Sequence, residues 1–311
     1  MIANRLKPGN ESGLALIMVI WILLIISAIA IQVCRSAKMD FRSLSFYRSE
    51  VEAESLARSA LREAMFGIGR MTSESASGGR TLKDADDNTA GFYSYTIVDE
   101  SGRLNLNGAG EDEIGTLLKL LRVGGAESLA GRIARERERY PGRAFTVVEE
   151  LLDVDGMAED VFTGEDANDD LALDSSEDDG GTSWPPDDGD GDLDFGLKHY
   201  IRASCPGKVN VNLASREVML SLLKSPPEFV DSIISAVESS AGTLTLENIR
   251  AMSGMTEEIE SYVNEKLTDR SECFRIMAEG GVYETGAAKI INAYVYVDAT
   301  GKHRLTYWWE S

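Results

Sequence analysis

The densest set of side chains able to do chemistry lies between Glu159 and Asp194. It holds fifteen of the chain's 52 acidic residues and no basic one, so this stretch alone supplies −15 of a net charge of −21. Asp188, Asp190, Asp192 and Asp194 alternate along it, and Asp166, Asn168 and Asp170 repeat the spacing. Oxygens at alternate positions are how a calcium loop presents its first ligands. Neither run is a complete EF-hand, because Leu171 and Leu193 stand at position six, where the sharp turn needs glycine. Packed like charges repel unless a cation neutralises them, so calcium is the one cofactor to which the residues point. A solvated acidic loop is the competing reading.

Little else is equipped for catalysis. The chain has two histidines, His199 and His303, and three cysteines, Cys34, Cys205 and Cys273. It lacks C-x-x-C, H-E-x-x-H, G-x-S-x-G and P-loop patterns. Zinc chemistry and nucleophilic triads have little raw material, and the composition leans away from an enzyme. The acidic balance weighs against nucleic acid, whose phosphates need Lys/Arg-rich surfaces. At 43% hydrophobic and 27% charged, the 311 residues are a globular chain long enough for two or three domains.

The elements that carry these residues begin with an apolar segment. Leu14 to Val33 contains no charge in twenty residues. As a helix it spans ~30 Å, the thickness of a bilayer's hydrocarbon core. Arg5 and Lys7 precede it, which places the N-terminus in the cytoplasm and the body outside. A cleaved signal peptide is the alternative, but its apolar region is shorter and ends in small residues. No proline occurs between Pro8 and Pro141 and no glycine between Gly13 and Gly67, so the helix is expected to continue to about Phe66. Ala53, Leu56, Ala57, Ala60, Leu61, Ala64 and Met65 form one apolar stripe along its second half.

Residues 67–79 read as a loop, and Phe92–Val98 as a strand rich in aromatic and β-branched residues. A repeat follows. Gly102-Arg-Leu-Asn-Leu-Asn107 recurs as Gly207-Lys-Val-Asn-Val-Asn212, each alternating like a half-buried strand. Helical patterns come next, at Glu111–Leu121 and at Ser215–Leu223, with Ser215 placed as an N-cap. Each copy closes on a similar phrase, Thr146–Met157 and Thr245–Met255, ending in Gly-Met. Cys273–Ala278, Lys289–Val297 and His303–Trp309 read as three final strands, with a turn at 298–301. Cys205 and Cys273 each just precede a strand outside the cytoplasm, where either a disulfide or two buried thiols would fit. Trp308 and Trp309 suit a cap on the sheet core or a partner surface.

A short polar leader ending in glycine, then an uncharged apolar helix that continues as an amphipathic one, resembles a type IV pilin or pseudopilin. The resemblance implies that a prepilin peptidase cuts between Gly13 and Leu14 and methylates the new N-terminus. Most members carry Glu at the fifth mature position, which here is Met18. Charge in lipid is expensive unless paired, and a subunit with no neighbour above it can dispense with that Glu. With both N-x-N strands and the terminal strands, this departure makes the chain similar to the minor pseudopilin K family of type II secretion. That resemblance implies an α+β fold: a long pilin-like N-terminal helix on a small antiparallel sheet. Inserted into it would be an α-helical domain of two SAM-like or helix-hairpin-helix-like modules.

The segments expected on this basis are a leader (1–13), a transmembrane part (14–33) and an extracytoplasmic part (34–66) of one helix. The first part of the sheet (67–107) and a first helical module (108–158) follow. An acidic loop (159–198), a connecting strand (199–212), a second module (213–270) and the last part of the sheet (271–311) complete the chain. By resemblance the protein sits in the bacterial inner membrane with its body in the periplasm and binds calcium in its acidic region. Its implied partners are the minor pseudopilins I, J and H, the major pseudopilin and the prepilin peptidase. It would prime the tip of the pseudopilus that exports folded proteins across the outer membrane.

The alternative is a membrane-anchored helix-hairpin-helix DNA-binding protein of a competence-type system, which the phrase Lys208–Leu223 also resembles. Its hairpins should be basic, yet here they carry Asp153, Asp155, Glu257, Glu258 and Glu260.

Overall fold

The computed structural model describes residues 11–71, 75–83, 89–139, 144–166, 173 and 193–310, with side chains from residue 16. One helix dominates. α1 (Glu11–Gly67) runs 57 residues without a break, ~85 Å at 1.5 Å per residue. The absence of Pro and Gly inside it leaves nothing to stop it. Its residues are exposed from Leu16 to Arg48 and bury a stripe only from Ser49 onward.

The second half lies on an antiparallel sheet of five strands in the order β1-β2-β7-β8-β9. These are β1 (Ser75–Lys83), β2 (Thr89–Asp99), β7 (Cys273–Val282), β8 (Ala287–Val297) and β9 (His303–Glu310). Ala53, Ala57, Ala60 and Ala64 are fully buried against it, with Ile97, Phe274, Ile276, Ile291 and Val295 forming the other side of the core. The small side chains let the backbones approach closely. A Cβ on Gly280 would stand 2.3 Å from the Ala53 carbonyl oxygen and 2.4 Å from the Ala57 nitrogen, so glycine is required there.

Strands β2 and β7 are direct neighbours, pairing Gly91 with Val282 through to Asp99 with Phe274. Everything between them in sequence is therefore an insertion at one end of the sheet. It contains β3 (Leu104–Asn105), α2 (Glu111–Leu120), α3 (Ala126–Glu138), α4 (Glu159–Thr163), α5 (Leu197–Tyr200), β4 (Ile201–Arg202) and β5 (Val209–Asn210). After these come α6 (Arg216–Leu223), α7 (Pro227–Ser239), α8 (Leu246–Arg250), α9 (Glu257–Lys266) and β6 (Leu267–Thr268). Leu117, Leu118, Leu129 and Ile133 share one apolar core with Leu222, Leu223, Ile233 and Val263, so the two halves of the insertion pack as a unit.

The fold is the expected α+β arrangement of a long N-terminal helix on a small antiparallel sheet, with further helices inserted. Several local readings change. Residues 75–83 form edge strand β1, although Ser-Ala-Ser-Gly-Gly has little strand propensity. Pairing with the long β2 decides it. The two N-x-N segments are not strands through their length. Only two residues of each pair, β3 in parallel with β4 and β5 in parallel with β6. Residues 199–212, expected as one connecting strand, divide into the end of α5, β4 and β5. The closing phrases differ as well: Thr146–Met157 contains a 3₁₀ turn at Val148–Asp153, whereas Thr245–Met255 contains α8.

Candidate functional site

The N-x-N repeat is a staple. Asn105 Oδ1 accepts from the Asn107 N–H at 3.0 Å, and Asn210 Oδ1 from the Asn212 N–H at 3.0 Å. The second Asn of each pair then grips a distant strand of backbone. Asn107 accepts from the Phe145 N–H and donates to the Phe145 and Ala203 carbonyls, each at 2.8 Å. Asn212 likewise accepts from the Leu244 N–H at 2.8 Å and donates to its carbonyl at 3.0 Å. A carboxamide has both a donor and an acceptor, which is why Asn recurs at this position. After the second staple three helices are capped by side chains: Ser215 accepts from Val218, Thr245 from Asn248 and Thr256 from Ile259.

The insertion meets the sheet through a buried polar seam. Ser101 Oγ accepts from the N–H groups of Glu272 and Cys273, both at 2.9 Å, and the Ser101 carbonyl accepts from the Asn210 N–H at 2.8 Å. Cys205 and Cys273 are joined by a disulfide, with Cα atoms 5.9 Å apart. Glu100 pairs with Arg103 at 3.2 Å and Arg275 at 3.1 Å. Arg202 is fully buried and donates from Nη2 to the carbonyls of Gly207 and Lys208. Its Nε and Nη1 have no hydrogen-bond partner among the described residues. Burial pushes its pKa down to about 10, against the pull of Glu100, Glu272 and Asp99. Burial also holds the Asp99 carboxyl above the ordinary Asp value, opposed by hydrogen bonds from Ser101 and Ser271. The seam ties the insertion to the sheet; the sequence signalled only its cysteines.

The two ends of the acidic segment meet. Gly164 bridges Phe195 antiparallel. The Glu165 N–H donates to the Asp194 carbonyl at 3.0 Å, and Glu165 Oε2 accepts from the Asp194 N–H at 2.8 Å. Asp166 is 1% exposed and Glu165 is 4% exposed. The Lys198 ammonium donates to the Asp166 carbonyl at 2.7 Å. Asp166 and Asp194, from the two candidate ligand runs, thus stand at one neck. Asn168, Asp170, Asp188, Asp190 and Asp192 lie outside the described residues. No group of three or more ligating side chains occurs among the described residues. Glu165 was not singled out by spacing, and its burial marks it. Counted from Asp166, Glu177 stands at position twelve, where a calcium loop places its bidentate carboxylate. An oxygen-only donor set is the kind a hard cation takes.

The first half of α1 presents a long, exposed apolar surface. Among the described residues it is the one helix long and apolar enough to cross a membrane. Met18 is 57% exposed and Trp21 63%, on a helix that touches nothing else over this length. Gly13 and Leu14 lie within its first turns. Cys34 is exposed and free. Trp308 lies on the helix side of β9, with the Arg58 guanidinium 5.9 Å from its ring centre. Trp309 stacks on Tyr294 across the sheet's other face at 6.0 Å.

No family model matches the sequence, and no curated protein does. Among solved structures, the chain is similar to one in the crystal structure of the GspK-GspI-GspJ complex from the enterotoxigenic Escherichia coli type 2 secretion system. The identity is 12%, the match covers 88% of this chain and 99% of that one, and the TM-score is 0.48.

Proposed function

We propose that this chain is a minor pseudopilin of the type II secretion K kind, acting by assembly rather than by catalysis. One observation carries the reading. A single helix presents an uncharged, exposed segment from Leu16 to Val33, then docks its second half on an antiparallel sheet through an alanine stripe. That is a subunit built to be stored in a bilayer and later packed helix against helix. Over such a length, lateral burial of apolar surface is the available driving force.

In this reading the anchor crosses the inner membrane with its N-terminus in the cytoplasm and its body in the periplasm. A prepilin peptidase cuts between Gly13 and Leu14. Met18, uncharged, needs no partner amine from a subunit above. The insertion, larger than the sheet that bears it and held by the seam, obstructs addition of a further subunit, which fits a place at the pseudopilus tip. The partners are then the minor pseudopilins I, J and H and the major pseudopilin, with no role for nucleic acid. The acidic neck and its loop take up calcium through Asp166, Asn168, Asp170, Asp188, Asp190, Asp192 and Asp194.

The deciding experiment is co-expression with a prepilin peptidase and mass spectrometry of the mature N-terminus. The expected product starts at N-methylated Leu14 and disappears in Gly13→Ala. An intact N-terminus, beside a processed control pilin, would remove the proposal. For calcium, the expected outcome is a rise in the melting midpoint on adding the ion, reversed by chelator. An unchanged midpoint would leave the segment a solvated loop.

A further inference from the structure

Just beyond the apolar segment the charge of the chain changes sign. Between Cys34 and Ser49 α1 carries Arg35, Lys38, Arg42 and Arg48 against one acid, Asp40, in a protein of net charge −21. Arg35, Lys38 and Arg42 stand at i, i+3 and i+7, which places them on one face of the helix. Asp40 lies across the helix from Arg35, five residues and ~140° away. All three basic side chains are exposed, and none forms an ion pair with a described residue.

Their heights matter as much as their face. Measured from Val33 at 1.5 Å per residue, Arg35 stands ~3 Å, Lys38 ~8 Å and Arg42 ~14 Å further along the axis. The headgroup layer outside the hydrocarbon core is ~5–8 Å thick. Helical side chains lean toward the N-terminus, here toward the membrane, and the long stems of Lys and Arg extend that reach. All three cations therefore converge on the phosphate layer. Arg48, at ~22 Å and off the stripe, does not. The acidic body is repelled by an anionic surface, so the stripe also offsets that repulsion where the chain leaves the bilayer.

We infer that Arg35, Lys38 and Arg42 form a docking stripe for anionic phospholipid headgroups in the leaflet from which α1 emerges. The inference rests on α1 spanning the membrane. It gives that helix a fixed depth and rotation before assembly, which an apolar segment alone cannot set.

The test uses the full-length chain in detergent, offered an equal mixture of phosphatidylglycerol and phosphatidylcholine and read by native mass spectrometry. The wild-type chain is expected to retain phosphatidylglycerol over phosphatidylcholine by about fivefold or more, the scale of one juxtamembrane cation at an anionic surface. Combined Arg35→Gln, Lys38→Gln and Arg42→Gln should bring the ratio near one, while Arg48→Gln should keep it. Equal retention of the two lipids by the wild type, or an undiminished preference in the triple variant, would overturn the inference. So would loss of self-association in the triple variant at an unchanged lipid ratio, because the stripe would then serve a second copy's acidic helix. Alkaline carbonate extraction separates failure of the underlying reading: a chain released as soluble protein does not span the membrane at all.

Discussion

At the scale of the residue, Asn107 and Asn212 show why an amide was retained twice. Each closes a loop by bonding both the N–H and the carbonyl of one distant residue. Aspartate could accept but not donate, and alanine would leave backbone groups without partners. Asn107→Ala is expected to destabilise the first module by about 2–3 kcal/mol, the cost of unsatisfied buried groups. Urea unfolding followed by far-ultraviolet circular dichroism would measure it, and Asn107→Asp should fall between. The buried Asp99 gives a pH prediction. Its pKa lies above the ordinary value because of burial. The folded state therefore holds a proton that the unfolded chain has released, and this group's contribution falls as pH rises through that window. Asp99→Asn should then raise the melting midpoint at pH 7, and the gain should vanish as the pH approaches the unfolded Asp range. A loss of stability at neutral pH would show that the Arg202 attraction outweighs desolvation.

At the scale of the element, the long helix and the last three strands were legible because their signals are local. Twenty uncharged residues, an unbroken run without Pro or Gly, and β-branched alternation each decide a conformation without distant help. Edge strand β1 was not legible, since its Ser and Gly residues become a strand only when β2 offers its edge. The N-x-N segments alternated like strands for a different reason: their apolar residues bury in the helical core while their amides staple loops. The stripe on α1 was readable as apolar, but its dependence on Gly280 was not. Gly280→Ala should push α1 from the sheet and destabilise the head by about 1–3 kcal/mol, in line with overpacked cores. Thermal melts of the two proteins would show it. Unaltered stability would mean that the helix–sheet distance adjusts freely.

At the scale of the molecule, the insertion is held to the sheet by hydrogen bonds at Ser101 and by the Cys205–Cys273 disulfide, which spans a sequence separation of 68. Closing a loop of that length restricts the unfolded chain, so Cys205→Ser with Cys273→Ser should cost about 2–4 kcal/mol. A comparison of denaturant midpoints with and without reductant would check this, and the double variant should become insensitive to reductant. The stiffness of the junction matters to the proposed role, because an insertion that swung freely would not obstruct a subunit above it.

The sequence by itself determined the long apolar segment, the continuation of its helix, the acidic segment and the repeat, since periodicity and charge are properties of neighbouring residues. It left open whether Cys205 and Cys273 meet, and it could not show that Glu165 and Asp166 are buried at a neck closed by Asp194. Nor could it show that β2 and β7, far apart in the chain, lie side by side and so make everything between them an insertion. Those features depend on contacts between residues distant in sequence. Only the packed chain settles them, because the burial and hydrogen bonds that favour them exist only once the strands have paired.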